Sequence, residues 1–162
     1  MLIYLETWEY EYANNIGIRR VTNNWNKPDA PYYDPDKMED NRTASVAAAI
    51  CELAVAKAIN EYWSASIWKN TDHDTHKHLA DVGKDVEVRR VRTQPGPAIR
   101  AKDLVKGNQI LFGAHAVEKE FKVVEILGWT TFNEAWEVGT PVEYGKIVPR
   151  EHLKTVGEYL GY

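Results

Sequence analysis

The sequence has a single cysteine, no long apolar run and no excess of positive charge, and each absence excludes a class of protein. One cysteine among 162 residues cannot build a disulfide framework, so a reducing compartment, the cytoplasm, is expected. No stretch approaches the roughly 18 apolar residues of a membrane span, and the amino terminus lacks the basic segment of a signal peptide. A net charge of -4 argues against nonspecific coating of nucleic acid, which depends on an excess of Lys and Arg.

The chain length and apolar content predict a single domain over residues 1–162, since 162 residues with 44% hydrophobic side chains can bury one core. Residues 4–12 alternate aromatic with acidic side chains, and this period of two predicts an amino-terminal edge strand. From about 13 to 40 the chain is rich in Pro, Asn and Asp, which predicts a long irregular surface excursion. Within that excursion, Arg19 and Arg20 are interpreted as solvated rather than as phosphate contacts.

The strongest helix prediction covers residues 41–63, which are rich in alanine, contain neither proline nor glycine and follow the capping candidate Asp40. On a helical wheel, Glu52 falls among the apolar residues and not on the exposed stripe. A carboxylate that faces a core is costly unless a cation, a metal ion or several donors compensate its charge. Glu52 therefore predicts either an internal Arg or backbone partner, or a functional site.

Residues 79–93, LADVGKDVEVRRVRT, predict a β-hairpin with one apolar face and one charged face. Valines alternate with Glu87 and Arg89, and side chains two apart on a strand share a face. Gly83 lies where a tight reversal would fold the strand of Asp81 back beside the strand of Glu87. Such a turn would bring Asp81, Glu87 and Arg89 together.

The remaining elements predict an α/β (α+β) fold with a central mixed β-sheet flanked by helices. The patterns predict strands at 109–117 and 121–127, and helical segments at 101–106, 130–138 and 149–159. A run of Asp and His at 72–78 lacks the spacing of zinc ligands and favours a solvated loop over a metal site.

The hairpin carries an all-oxygen set of metal ligands, the type that Mg²⁺ or Mn²⁺ prefers. The predicted ligands are Asp81, Glu87 and the backbone carbonyl of Val88. A metal ion there would polarise a phosphoryl oxygen, and Arg89 would stabilise the charge that develops on the phosphate. Arg89 cannot act as a base, because a guanidinium stays protonated in proteins. The alternative is an exposed strand face held by cross-strand charge pairs.

The order of these pieces resembles the PD-(D/E)XK, or restriction-endonuclease-like, nuclease superfamily. The matching pieces are Glu52 in ICELAVAKAINEYW, Asp81 in LADVG and Glu87 in DVEVRR, and small phage-type proteins carry a similar helix and hairpin. The resemblance implies a restriction-endonuclease-like core, one or two Mg²⁺ ions on Asp81 and Glu87, Glu52 as an accessory ligand or water orienter, and hydrolysis of DNA or RNA. Two departures accompany it: Arg89 occupies the usual lysine position, and a tight turn replaces the helix that commonly precedes the last core strand.

The sequence leaves three functions open. The first is a metal-dependent nuclease, acting on DNA ahead of RNA, with Glu52, Asp81, Glu87 and Arg89 as its catalytic residues. A basic zone would hold the nucleic acid, and its predicted members are Arg90, Arg92, Arg100, Lys102 and Lys106. The second is a catalytically inactive binding protein on the same fold, in which Arg89 pairs with Glu87 or with Glu52.

The third function is a phage accessory or inhibitory protein whose acidic amino-terminal strand imitates DNA. The residues that would carry this mimicry are Tyr4, Glu6, Trp8 and Glu9. In each case the expected partner is a nucleic acid or a protein and not a membrane, and the expected location is the cytoplasm of the host cell. A homodimer stays open.

Overall fold

The structure is a computed structural model that describes residues 1–23, 40–67, 79–117 and 119–162, and it has a mixed α+β fold. Its strands are β1 (Leu2–Tyr4), β2 (Val86–Arg90), β3 (Ala98–Ile99), β4 (Ile110–Ala116), β5 (Val123–Thr131), β6 (Thr140–Val142) and β7 (Gly145–Ile147). Its α-helices are α1 (Thr7–Asn23), α2 (Asn41–Ile59), α3 (Phe132–Val138) and α4 (Val156–Leu160). Two 3-10 helices cover Ala101–Lys106 and Arg150–His152.

The main sheet has the strand order β1-β5-β4-β2 and is mixed, which confirms the predicted sheet with flanking helices. Strand β2 runs parallel to β4, whereas β5 runs antiparallel to both β1 and β4. Parallel neighbours need a crossover, and the segment from β2 to β4 supplies it with β3 and the first 3-10 helix. Strand β3 joins β7 and β6 in a second, three-stranded sheet, which the sequence analysis did not predict.

Helices α1 and α2 pack together over one face of the main sheet. Helix α2 begins after Asp40, whose side chain accepts a hydrogen bond from the N–H of Thr43, so the predicted cap and helix are confirmed. The helix ends at Ile59 and not at residue 63, because Asn60 adopts the left-handed conformation. The two helices approach closely at Gly17, where a Cβ atom would lie 2.5 Å from the Cα of Val46. Glycine is therefore required at this crossing.

Two hydrophobic clusters stabilise the fold, one on each face of the main sheet. The larger lies between α1, α2 and the sheet, with Ile50, Val55 and Phe112 among its fully buried side chains. The smaller lies on the opposite face and contains Ile99, Leu111, Phe132, Ala135 and Val148. Among the described ranges, no helix has the length and apolar character that a membrane crossing needs.

Two amino-terminal predictions are wrong, because the strand ends at Tyr4 instead of covering residues 4–12 and the irregular excursion does not begin near residue 13. Helix α1 runs from Thr7 to Asn23, and its buried Glu9, Ala13 and Ile16 recur at the helical spacing of four and three. The N–H of Glu6 donates to Glu9 at 2.7 Å, which helps to start the helix. Of the predicted excursion, residues 24–39 lie outside the described part of the chain, as does the loop predicted at 72–78.

The acidic face on which the DNA-mimic hypothesis depends is therefore not a strand face. Glu9 is buried and forms an ion pair of 2.8 Å with Lys57, so its charge is compensated inside the fold. Trp8 and Tyr4 are exposed.

The carboxyl-terminal predictions are confirmed except for the last helix. Strands β4 and β5 pair antiparallel, and α3 is capped by the side chain of Thr131. The helix predicted at 149–159 is wrong, since a 3-10 helix and α4 replace it. Between them, Lys154 exchanges two backbone hydrogen bonds with Trp129 of β5, and an extended bridge of this kind interrupts a helix. Thr155 then opens α4 with a capping box to Glu158.

Cys51 lies in the main core, and its thiol is expected to be inert. The residue is fully buried, and its burial raises the pKa of the thiol to about 12. Because the thiolate is the reactive form, an aromatic disulfide reagent should label the native protein only as fast as it unfolds. Labelling in urea should be complete within seconds to minutes, whereas equally fast labelling of the native protein would contradict this core position.

Candidate active site at the open edge of β2

The candidate site lies along the edge of β2 that faces away from β4. A tight turn precedes this strand: Val82 and Val86 exchange backbone hydrogen bonds of 3.1 and 3.2 Å. Gly83 adopts the left-handed conformation that the turn requires, with φ of 57°. This turn places Asp81 opposite Glu87, so the predicted reversal is confirmed. The predicted hairpin of two strands is wrong, because a single bridge between Val82 and Val86 replaces the first strand.

Asp81 fills the open edge of β2. Its Oδ2 accepts a hydrogen bond of 2.9 Å from the backbone N–H of Val88, and its carboxyl group also contacts the carboxyl group of Glu52. Burial, the charge and hydrogen bond of Glu52 and the charge of Glu87 raise the pKa of Asp81 well above its usual range, and the Val88 bond opposes them only in part. These causes favour the neutral form of Asp81, which contacts Glu52 and lies within reach of the charge of Glu87.

Glu52 faces inward from α2, as its position on the helical wheel predicts, and only 5% of it is exposed. Its partner is Arg20 of α1, whose Nη1 lies 2.6 Å from Oε2 and whose Nη2 lies 3.4 Å from Oε1. The Nε of Arg20 donates to the carbonyl oxygen of Ser66 at 2.9 Å. The interpretation of Arg20 as a solvated side chain is therefore wrong, whereas an internal Arg partner for Glu52 is confirmed.

Glu87 projects from the face of β2 that points away from α2, towards the crossover segment. Its Oε2 accepts from Lys106 Nζ at 2.7 Å and from Arg89 Nη2 at 3.4 Å. Arg89 also donates to both oxygens of Asp103, at 3.1 and 3.3 Å. Burial works against the charge of Arg89, but Asp103 and Glu87 outweigh it and raise the pKa of the guanidinium.

Asp103 is a site residue that the sequence did not predict, and Lys106, which was predicted to contact nucleic acid, joins it. Asp103 is buried, and it accepts from the N–H of Arg100 at 2.8 Å, which opens the 3-10 helix. Burial would raise the pKa of Asp103, but Arg89, the Arg100 N–H and Lys106 lower it. One signal was available: a helical turn predicted at 101–106 places Asp103 and Lys106 on one side.

The basic residues predicted to bind nucleic acid do not share one surface. Arg100 and Lys102 are exposed on the crossover segment. Arg90 alternates with Arg89 and lies on the α2 side of the sheet, where its charge reaches Cys51. Arg92 follows β2 and lines a surface pocket on the other face.

The side chains at this edge of β2 have the oxygen ligands that a hard divalent cation prefers, but they are not grouped as a metal site. Carboxylate oxygens are the ligands that Mg²⁺ prefers. Yet in the ranges that the structure describes, no three Asp, Glu, His or Cys side chains are grouped so that they could hold a metal ion. Arg20 pairs with Glu52, and Lys106 pairs with Glu87. A metal ion would therefore compete with these cations for the carboxylates.

The arrangement can hold negative charge beside Arg89 and Lys106. Comparison of the chain with protein-family models, with curated proteins and with solved structures finds no match.

Proposed function

We propose that the chain is a metal-dependent nuclease on a restriction-endonuclease-like core, hydrolysing phosphodiester bonds of DNA ahead of RNA. The observation that carries the proposal is Asp81 at the open edge of β2, where its carboxyl group accepts from the Val88 N–H, contacts Glu52 and feels the charge of Glu87. An edge strand needs only one acceptor to satisfy the Val88 N–H, so the fold does not require three acids there. A buried acid with a raised pKa and acidic neighbours, such as Asp81, is typical of sites that bind cations or catalyse reactions.

Each residue has a distinct role in this proposal. Asp81 and Glu87 would hold the Mg²⁺ or Mn²⁺ ion, together with the carbonyl oxygen of Val88, which faces the same edge as its N–H. Glu52 would orient water or act as an accessory ligand. When bound, the ion supplies a polarised phosphoryl oxygen and a more acidic water.

The nuclease superfamily that the chain resembles usually has a lysine where this chain has Arg89. In this proposal, the cations beside Glu87 take over the role of that lysine. Arg89 stabilises negative charge but cannot accept a proton, because its guanidinium stays charged. Lys106 brings a primary amine to within 2.7 Å of Glu87 from a different element of the chain. An amine both stabilises charge and can exchange a proton, so Lys106 is the residue to which we assign the role of the usual lysine.

Replacement Glu87→Gln is expected to reduce cleavage by about 100-fold or more, since it removes a charged ligand while conserving shape. The assay uses linear, nicked and single-stranded DNA with Mg²⁺ or Mn²⁺, and follows products on a gel. Glu137→Gln on the exposed surface of α3 is the matched control and should cleave like the wild type. A chelator should abolish cleavage in both. Equal cleavage by Glu87→Gln and wild type, or no cleavage by wild type on any substrate, would refute the proposal.

A second candidate is a catalytically inactive binding protein built on the same core. The ion pair of 3.4 Å between Arg89 and Glu87, with Arg20 on Glu52, favours it, because each of these acids already has a cation. In this case divalent ions should not raise the melting temperature of the protein. DNA binding by Glu87→Gln should also equal that of the wild type.

A further inference from the structure

A polar pocket lies on the same face of the main sheet as Glu87, at the ends of β2 and β4. Its volume is about 180 Å³, and it is open to solvent. The charged and polar side chains that line it are Arg92, Gln94, His115, Glu125 and Arg150. This volume and lining suit a small charged group rather than an apolar ligand.

Among the described residues that line the pocket, arginine side chains outnumber carboxylates. Arg92 and Arg150 contribute guanidinium groups, and Glu125 contributes a carboxylate. Glu125 and Arg150 form an ion pair, but just over half of the Arg150 side chain, 56%, is exposed at the mouth. A guanidinium has five N–H donors, so a pair with one carboxylate oxygen does not saturate it.

The walls of the pocket are held by hydrogen bonds that do not need a ligand. Gln94 accepts from the backbone N–H groups of Arg92 and Thr93, at 3.1 and 3.2 Å, which orders the loop that carries Arg92. His115 Nδ1 lies 2.8 Å from the carbonyl oxygen of Val91 and must carry the proton, because a carbonyl oxygen only accepts. These hydrogen bonds order the loop that carries Arg92 and fix the orientation of the His115 ring.

The pocket is aligned with the candidate active site. Glu87 pairs with Leu111 on β4, and His115 lies four residues further along the same strand and on the same face. Four residues of strand span about 13 Å, which is close to four base-pair steps of a duplex.

We propose that this pocket binds a backbone phosphate of the DNA strand, with Arg150 and Arg92 as its anion-binding residues, about four nucleotides from the scissile bond. The proposal rests on the proposed nuclease function for the identity of the strand. Guanidinium groups fit phosphate oxygens with two parallel hydrogen bonds, which lysines do not offer. Glu125 competes with the phosphate for Arg150.

The test measures DNA affinity by fluorescence anisotropy in a chelator, so that no cleavage occurs. Arg150→Gln should weaken binding about three- to tenfold at low salt and lower the slope of log Kd against log salt by about 0.7–0.9. Glu125→Gln should tighten binding, because it releases Arg150 from its carboxylate. Arg42→Gln, which removes a positive charge from the exposed start of α2, is the matched control and should change neither quantity.

The opposite signs expected for Arg150→Gln and Glu125→Gln distinguish binding from a structural ion pair, which both changes would break alike. Equal affinities of Arg150→Gln and wild type, or equal losses in Arg150→Gln and Arg42→Gln, would overturn the proposal. Competition with inorganic phosphate distinguishes a backbone phosphate of DNA from free phosphate as the ligand. Tight phosphate binding that depends on Arg150, without DNA binding, would also overturn the proposal. Cleavage by Glu87→Gln decides the nuclease, and affinity in chelator decides the pocket, so either can fail alone.

Discussion

Replacing Arg20 with methionine is expected to destabilise the protein by about 3–5 kcal/mol, because Glu52 would remain buried without its cation. Only 14% of the Arg20 side chain and 6% of the Glu52 side chain are exposed, so water cannot replace the lost partner. The bond from Arg20 to the carbonyl oxygen of Ser66 would be lost as well. Urea unfolding, monitored by tryptophan fluorescence, measures the change in the free energy of unfolding.

The neighbouring Arg19→Met is the matched control, since Arg19 is exposed on the same helix and its loss should change stability by no more than about 0.5 kcal/mol. Adding Glu52→Gln to Arg20→Met should recover much of the lost stability, because it removes the uncompensated charge. If Arg20→Met and Arg19→Met unfold alike, the buried pair does not stabilise α1 on α2. The same outcome would remove the structural reason for an inward Glu52.

The centre of the molecule could be predicted from its sequence because its signals are local. The alanine-rich helix, the inward Glu52 and the turn at Gly83 each depend on spacing within a few residues, and the structure confirms all three. The alternation of valines with Glu87 and Arg89 likewise predicted the two faces of β2. Local spacing establishes which side of a strand or helix a residue faces. Together with the turn at Gly83, it was enough to predict that Asp81 lies beside Glu87.

The partners of these residues could not be predicted, because each comes from a distant element. Arg20 lies 32 residues from Glu52, and Lys106 lies 19 residues from Glu87. Pairing then depends on how α1 crosses α2 and where the crossover segment lies, and neither follows from residue spacing. The wrong strand prediction at residues 4–12 also concealed helix α1. Arg20 was therefore assigned to an irregular segment and not to a helix that packs against α2. The run of aromatics fits both periods: Trp8 and Tyr12 are also four apart, and both are exposed on α1.

The acids of the candidate site are not explained by the stability of the fold alone. Arg20 pairs with Glu52 and Lys106 pairs with Glu87, but no cation in the described ranges pairs with Asp81. Burial and the charges of Glu52 and Glu87 therefore raise the pKa of Asp81, and only the Val88 N–H among its described partners opposes them. Functional sites commonly retain such unfavourable groups, and their replacement can stabilise a protein at the expense of function.

Asp81→Asn is therefore expected to raise the free energy of unfolding by about 1 kcal/mol, because it keeps both hydrogen bonds and removes the cost of an acid buried beside two other acids. The asparagine oxygen can accept from the Val88 N–H, while its amide group donates to Glu52 without a charge. The same change should abolish stabilisation by Mn²⁺ or Mg²⁺, which for the wild type amounts to about 2.7 kcal/mol at a hundred times the Kd. Thermal unfolding with and without the ion measures both effects.

Asp85→Asn is the matched control, because Asp85 is an exposed aspartate of the same turn. It should leave both the stability and the response to the ion unchanged. The two effects of Asp81→Asn separate the functions: a gain in stability with loss of the metal response supports the nuclease, whereas the gain without any metal response in the wild type supports the binding protein. A loss of stability in Asp81→Asn would contradict both, since it would mean that the Asp81 carboxyl group is not opposed by its acidic neighbours but serves the fold.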